Sequence, residues 1–188
     1  EIWYSLSEKK GSLSMNLLPQ TCSGQENPAF LGFRQQHISG YASTSFNFKA
    51  VAENEKAGML VFQNETHFYF LCQSIQNNSP VVQLYKSNVD NKDGNMELLE
   101  SQPLPALKNG LQLKIKAEKN TYAFYYSTGD DKWILLKDGV DATFLSTKTA
   151  GGFVGSMYAL YATSLGKKSI SRVYFDWFET KADDDIYK

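Results

Sequence analysis

Cysteine is nearly absent from this chain. The two residues present, Cys22 and Cys72, form no C-x-x-C pair and sit in no Cys/His cluster, which argues against a zinc site. They leave either one disulfide or two free thiols, because a chain of 188 residues can bury a core without a covalent staple. Excess positive charge is also missing. Lys and Arg number 19 against 20 Asp and Glu, so no basic face is available to a nucleic-acid backbone and no nucleic-acid partner is expected. No apolar run approaches the roughly 20 residues that span a bilayer, and no basic segment leads into an apolar one at the start, so no membrane partner is expected. Histidine is limited to His37 and His67. The nucleophile elbow, the H-E-x-x-H zinc motif, the phosphate loop and the dinucleotide fingerprint do not occur. The chain opens on Glu1 rather than Met, which reads as a processed or excised segment.

What is present is apolar and aromatic, at 42% and 14% of residues, and its period is two. "LQLKIKA" alternates strictly, placing Leu111, Leu113 and Ile115 on one face and Gln112, Lys114 and Lys116 on the other. "STSFNFKA", "GMLVFQ", "HFYFLCQS", "VVQLYKS", "TYAFYYS", "KWILLKD" and "RVYFDWFE" are further short runs of strand-forming residues. Turn chemistry separates them at Glu53-Asn54-Glu55, Gln76-Asn77-Asn78, Asp93-Gly94, Asn109-Gly110 and Gly129-Asp130-Asp131. Turns spaced by about 8–12 residues predict an all-β, antiparallel β-sandwich or barrel. "NMELLESQPLPALK" carries Pro103 and Pro105 and reads as a strand with a loop rather than a helix, and a short helical turn fits Asp141 to Leu145. The whole, 1–188, reads as a single domain with its core over about 3–180 and an acidic tail over 181–188.

Candidate chemistry is sparse. Glu97, Glu100, Glu118, Asp138, Asp141 and Glu179 each read as solvent-face or turn residues, and no catalytic carboxylate pair is recognisable. Asp176, between Phe175 and Trp177, alternates to the surface; a structural calcium held by Asp176 with Glu1 is the competing reading, and no other cofactor is required. Asn64-Glu65-Thr66 and Asn77-Asn78-Ser79 are glycosylation sequons that matter only in a eukaryotic secretory route. Trp3, Trp133 and Trp177 read as core filling, with a sugar-stacking platform as the alternative. Arg34, Gln35, Gln36 and His37 concentrate hydrogen-bonding capacity that must be paired if buried, which predicts a tie between two loops or two domains; direct sugar contact is the alternative. "GGFVGSMYALYATS", from Gly151, is unusual in placing Phe153 on a glycine pair without a single charge.

"PAFLGFRQQH" from Pro28, "ENEKAGMLVFQNETHFYFL" from Glu53, the stretch "GVDATFLSTKTAGGFVGSMYALYATS" and "VYFDWFE" together resemble the C-terminal sandwich domain of glycoside hydrolase family 43, the β-xylosidases and α-arabinofuranosidases. The resemblance runs in order from Trp3 to Glu179. It implies a concanavalin A-like jelly roll, in agreement with the alternation. It also implies that this chain is the accessory, non-catalytic part of an enzyme acting on xylan- or arabinoxylan-derived sugars, packed on a five-bladed catalytic propeller that these residues do not include. The family's glycine loop maps onto Gly151, Gly152, Phe153 and Gly155, with Phe153 as the aromatic that lines the substrate pocket. Val154 and Ala159 depart from the usual Thr and Gly. An independent carbohydrate-binding module is the alternative function; a stand-alone glucanase ranks lower, because no E-x-D-x-x-E motif occurs. A periplasmic or extracellular bacterial setting is expected over the cytoplasm, and a homo-oligomer is compatible with the sequence.

Overall fold

A computed structural model describes residues 2–90, 95–107, 109–129, 132–152 and 154–183. The strands are β1 (Tyr4–Ser5), β2 (Leu13–Asn16), β3 (Ala29–Arg34), β4 (Ser39–Phe48), β5 (Lys56–Asn64), β6 (His67–Gln76), β7 (Ser79–Ser87), β8 (Met96–Pro103), β9 (Leu111–Glu118), β10 (Thr121–Ser127), β11 (Ile134–Asp141), β12 (Met157–Thr163) and β13 (Arg172–Ala182). Helix is confined, among the described residues, to a 3-10 turn (Ala142–Leu145) and one α-turn, α1 (Thr147–Ala150). Seven strands form one sheet in the order β1-β2-β13-β4-β9-β10-β11, and six form the other in the order β3-β12-β5-β6-β7-β8, with every strand pairing antiparallel. Two sheets face to face make the sandwich that the alternation predicted, in keeping with the concanavalin A-like fold that the resemblance implied.

Alternation explains why the sheets stack. Leu111, Leu113 and Ile115 are fully buried, whereas Gln112, Lys114 and Lys116 are turned outward and half-buried. Met59, Val61, Tyr69, Leu71, Phe124 and Phe175 join them between the sheets. The intervening residues of the six-stranded sheet form a second apolar cluster on its other face, with Leu60, Phe68, Phe70, Ala159 and Tyr161 at its centre. Cys22 caps that cluster, its backbone N–H donating to the Tyr161 hydroxyl at 3.0 Å. Because both faces of β5 and β6 are buried, these strands read as continuous apolar runs rather than as alternating ones. Cys22 and Cys72 are both free thiols, and burial pushes each up to about 12.

The turns follow the sequence closely. Asn77 and Asn78 both take positive φ, 51° and 61°, as a two-residue hairpin between β6 and β7 requires. In β13 a bulge falls between Phe175 and Trp177. Asp176 is the extra residue, and it is exposed. The bulge also resets the alternation: Trp177 pairs with Ser45 on the outer face and is 36% exposed, so it does not fill the core. Trp133 is half-buried on the same outer face.

Candidate functional site

One end of the sandwich gathers the sequence-predicted residues. Helix α1 starts at Ser146, whose hydroxyl accepts from the Thr149 N–H, and stops where the Gly151 N–H returns to Thr147 O at 3.0 Å. Gly151, Gly152 and Gly155 have φ of 74°, 73° and 66°, angles that favour glycine. Gly151 and Gly152 are exposed, and a Cβ at Gly151 would meet nothing within 4 Å. Val154 is 60% exposed. Phe153 lies outside the described residues.

The base of the segment is pinned. Arg34, the last residue of β3, donates from Nη1 to the carbonyls of both Val154 and Gly155, the latter at 2.7 Å. The Gln35 N–H donates to Ser156 O at 3.0 Å. Its side chain accepts from the Tyr122 hydroxyl of β10 at 2.9 Å and donates to His37 O at 3.0 Å. From the other side, Asn64 Nδ2 donates to Ala150 O at 2.9 Å and Gln63 Nε2 to Gly151 O at 3.5 Å. A glycan on Asn64 would displace the first of these anchors. His37 is half-buried and Gln36 exposed; both line a small pocket with Phe33, Arg34, Tyr41 and Tyr158.

Next to the Asn64 anchor, buried His67 shares Nδ1 contacts with Thr66 Oγ1 at 2.9 Å and Asn64 Oδ1 at 3.2 Å, and its ring packs on Phe144 at 4.7 Å. Burial, and secondarily the charge of Lys86, lower its pKa and favour the neutral ring.

Arg34 is expected to order this loop rather than to hold the fold together. Two hydrogen bonds from one charged group are worth about 1–2 kcal/mol where water competes. Replacing Arg34 with Met should therefore speed amide exchange at 154–156 by about tenfold while leaving the global melting temperature within about 2 °C. Arg34→Lys should fall between, because a shorter ammonium keeps a charged donor but not the reach of the guanidinium Nη1 to both carbonyls. Unchanged exchange in Arg34→Met would show that Asn64 and Gln63 suffice as anchors.

The outer face of the seven-stranded sheet carries a second constellation that alternation alone did not reveal. Lys114 Nζ lies 3.8 Å from the centroid of the Trp133 ring and 5.1 Å from that of Tyr41. Burial lowers its pKa, and Glu179 opposes that shift. Glu179 Oε1 accepts from Tyr41 Oη and Ser43 Oγ, both at 3.1 Å. The bulge brings Trp177 to this face, a local irregularity with no period to betray it. Among the described residues no group of three or more His, Cys, Asp or Glu gathers, and Glu1, the carboxylate expected to join Asp176 in a calcium site, lies outside them.

Comparison with known proteins gives the family and the fold. A family model described as the beta xylosidase C-terminal concanavalin A-like domain matches residues 1–181. A xylosidase/arabinosidase of Butyrivibrio fibrisolvens is 29% identical over 95% of this chain and 33% of its own length. The non-reducing end alpha-L-arabinofuranosidase BoGH43B of Bacteroides ovatus is 30% identical over 97% of this chain and 33% of its own length. A solved Bacteroides ovatus structure, GH43B from a xyloglucan locus, superposes with a TM-score of 0.86 at 28% identity, covering 96% of this chain and 34% of that one. The chain thus spans about a third of the length of the curated relatives it matches. A functionally unknown protein from Saccharomyces cerevisiae, 12% identical with a TM-score of 0.66, shows the same fold in a chain of which 90% is covered.

Proposed function

Because the chain belongs, through residues 1–181, to the family of beta-xylosidase C-terminal concanavalin A-like domains, we propose that it is the accessory sandwich of a family 43 glycoside hydrolase. In this reading it packs on a catalytic five-bladed propeller and closes one side of a pocket for xylo- or arabino-oligosaccharides. The observation that carries the reading is the loop after α1, exposed at Gly151 and Gly152 yet pinned at Val154 and Gly155 by Arg34. Such a segment can present a side chain to a neighbouring body without losing its position. The resemblance assigns the pocket wall to Phe153, where an aromatic ring would offer a flat apolar face to a sugar.

The test uses the longer polypeptide that contains this chain. Phe153→Ala should lower kcat/KM on aryl xylosides or arabinofuranosides by about tenfold, the effect of about 1.4 kcal/mol of lost contact, without lowering the melting temperature. The 188-residue chain alone should release no sugar. Turnover by the isolated chain, or full activity in the Phe153 variant, would overturn the reading.

A second reading, a carbohydrate-binding surface, is favoured by the outward ring cluster of Trp133, Tyr41 and Trp177 around Lys114 and Glu179. It requires saturable binding of xylo-oligosaccharides that Trp177→Ala abolishes, and a flat titration removes it.

A further inference from the structure

We infer that the free edge of the six-stranded sheet, strand β3, is the surface on which the catalytic portion of the longer polypeptide docks. This rests on the accessory-domain reading above. The two sheets present four edge strands, β1, β11, β3 and β8. An exposed edge invites pairing with another chain, and proteins that stand alone blunt their edges with short length, charge, proline or bulges. Three of the four are blunted in these ways. β1 is two residues long. β8 carries Glu97, Glu100 and Pro103 and a register shift against β7. β11 carries Lys137 and Asp138 and two register shifts against β10.

β3 has none of these devices. Its sequence, AFLGFR, contains no proline and no acid, and it pairs with β12 in unbroken register over six residues. Its one charge, Arg34, is committed to the carbonyls of Val154 and Gly155. Register with Leu160 and Tyr158 puts Leu31 and Phe33 in the core-facing row, yet they are 51% and 46% exposed. The strand overhangs the opposite sheet, and Phe33 meets the Phe178 ring of β13 at 6.4 Å across the open seam. Apolar side chains that point inward and remain wet mark an unfinished core.

The occupant follows from what adjoins the strand. Exposed Ile38 and Val154 extend the apolar stripe from β3 into the pinned loop, so a body that receives the loop must also lie against β3. The rest of the stripe, Gln35, Gln36 and the half-buried His37, is polar and holds no Lys, Arg or acid, which suits a neutral protein face rather than a polyanion. The relatives are about three times as long as this chain, so on the accessory-domain reading a body large enough to cover the edge is part of the same polypeptide.

The experiment compares amide exchange along β3 in the 188-residue chain and in the longer polypeptide, with and without Leu31→Lys plus Phe33→Lys. Docking on β3 predicts exchange slower by about tenfold or more in the longer form, lost in the double variant. The isolated variant should still melt within about 3 °C of its parent, since both side chains are already half in water. Equal exchange of β3 in the two forms, with protection arising on another face, overturns the proposal. So does an isolated chain that elutes as a dimer dispersed by the same substitutions, because β3 would then pair with a second copy. The glycosidase reading fails separately: protection of β3 by a portion that hydrolyses no glycoside would retain the docking surface and discard that activity.

Discussion

Gly58→Ala is expected to destabilise the protein by about 3 kcal/mol or more, because the added methyl meets backbone rather than a side chain that could swing away. Gly58 lies in β5, paired with Cys72 of β6 on one side and Tyr161 of β12 on the other. A Cβ built there would stand 2.2 Å from Leu71 O, 2.8 Å from Cys72 Cα and 3.0 Å from Leu113 Cδ1. Relief requires β5 and β6 to part, and both are buried on two faces, so the strain spreads into both apolar clusters. At about 2–4 °C per kcal/mol for a chain of this size, the melting temperature should drop by about 6–12 °C. Gly139→Ala is the control: its φ is 64° but no atom lies within 4 Å, so it carries only backbone strain of about 1 kcal/mol. Melting of Gly58→Ala no lower than that of the control would show that the sheet accommodates the methyl and that the close approach is not a constraint.

Gly58 also illustrates where the sequence is silent. Strands that bury one face announce themselves, as Leu111, Leu113 and Ile115 do, because the period is imposed by water on the other side. Turns announce themselves where φ must be positive, as at Asn77 and Asn78. The 3-10 turn after Asp141 was legible for a similar reason, since the carboxylate accepts from the Thr143 N–H at 2.8 Å. A glycine facing a neighbouring backbone has no local signature. Nor does the bulge at Asp176, which moved Trp177 from the expected core to the surface. At the loop, the concentration of donors in Arg34 and Gln35 was visible, but their partners at Val154, Gly155, Ser156 and Tyr122 are set by strand pairing across the whole chain. Leu31 and Phe33 were likewise unremarkable until β3 proved to be an edge.

Glu55 is the clearest case of a residue whose role changed on folding, and it supplies the second large effect. In sequence it belongs to a turn, yet it is only 3% exposed. Its carboxylate accepts from the Val51 N–H at 2.8 Å, from Ser169 Oγ at 2.6 Å, and from Ser171 Oγ at 3.0 Å to each oxygen. No Lys or Arg among the described residues forms an ion pair with it. The carboxyl group is therefore held by neutral donors, and these join the segment entering β5 to the segment entering β13. Glu55→Ala leaves three donors without their acceptor; at about 1–3 kcal/mol for each one that stays dry, the sum would be large. The two serine hydroxyls can rotate, and an adjoining cleft of about 690 Å³, bordered by Leu18, Ile170 and Arg172, admits water. A net loss of about 3 kcal/mol is the expected result after that relief. Glu55→Gln keeps the shape and one acceptor oxygen, so it should lose only about 1 kcal/mol. If Gln cost as much as Ala, the carboxylate charge itself would be the source of stability, through hydrogen bonds to an ionised acceptor. A double-mutant cycle with Ser169→Ala and Ser171→Ala then separates the alternatives. Coupling of more than about 1 kcal/mol places the energy in these hydroxyl contacts, whereas additivity would assign the loss to the Val51 N–H and the cavity left by the side chain.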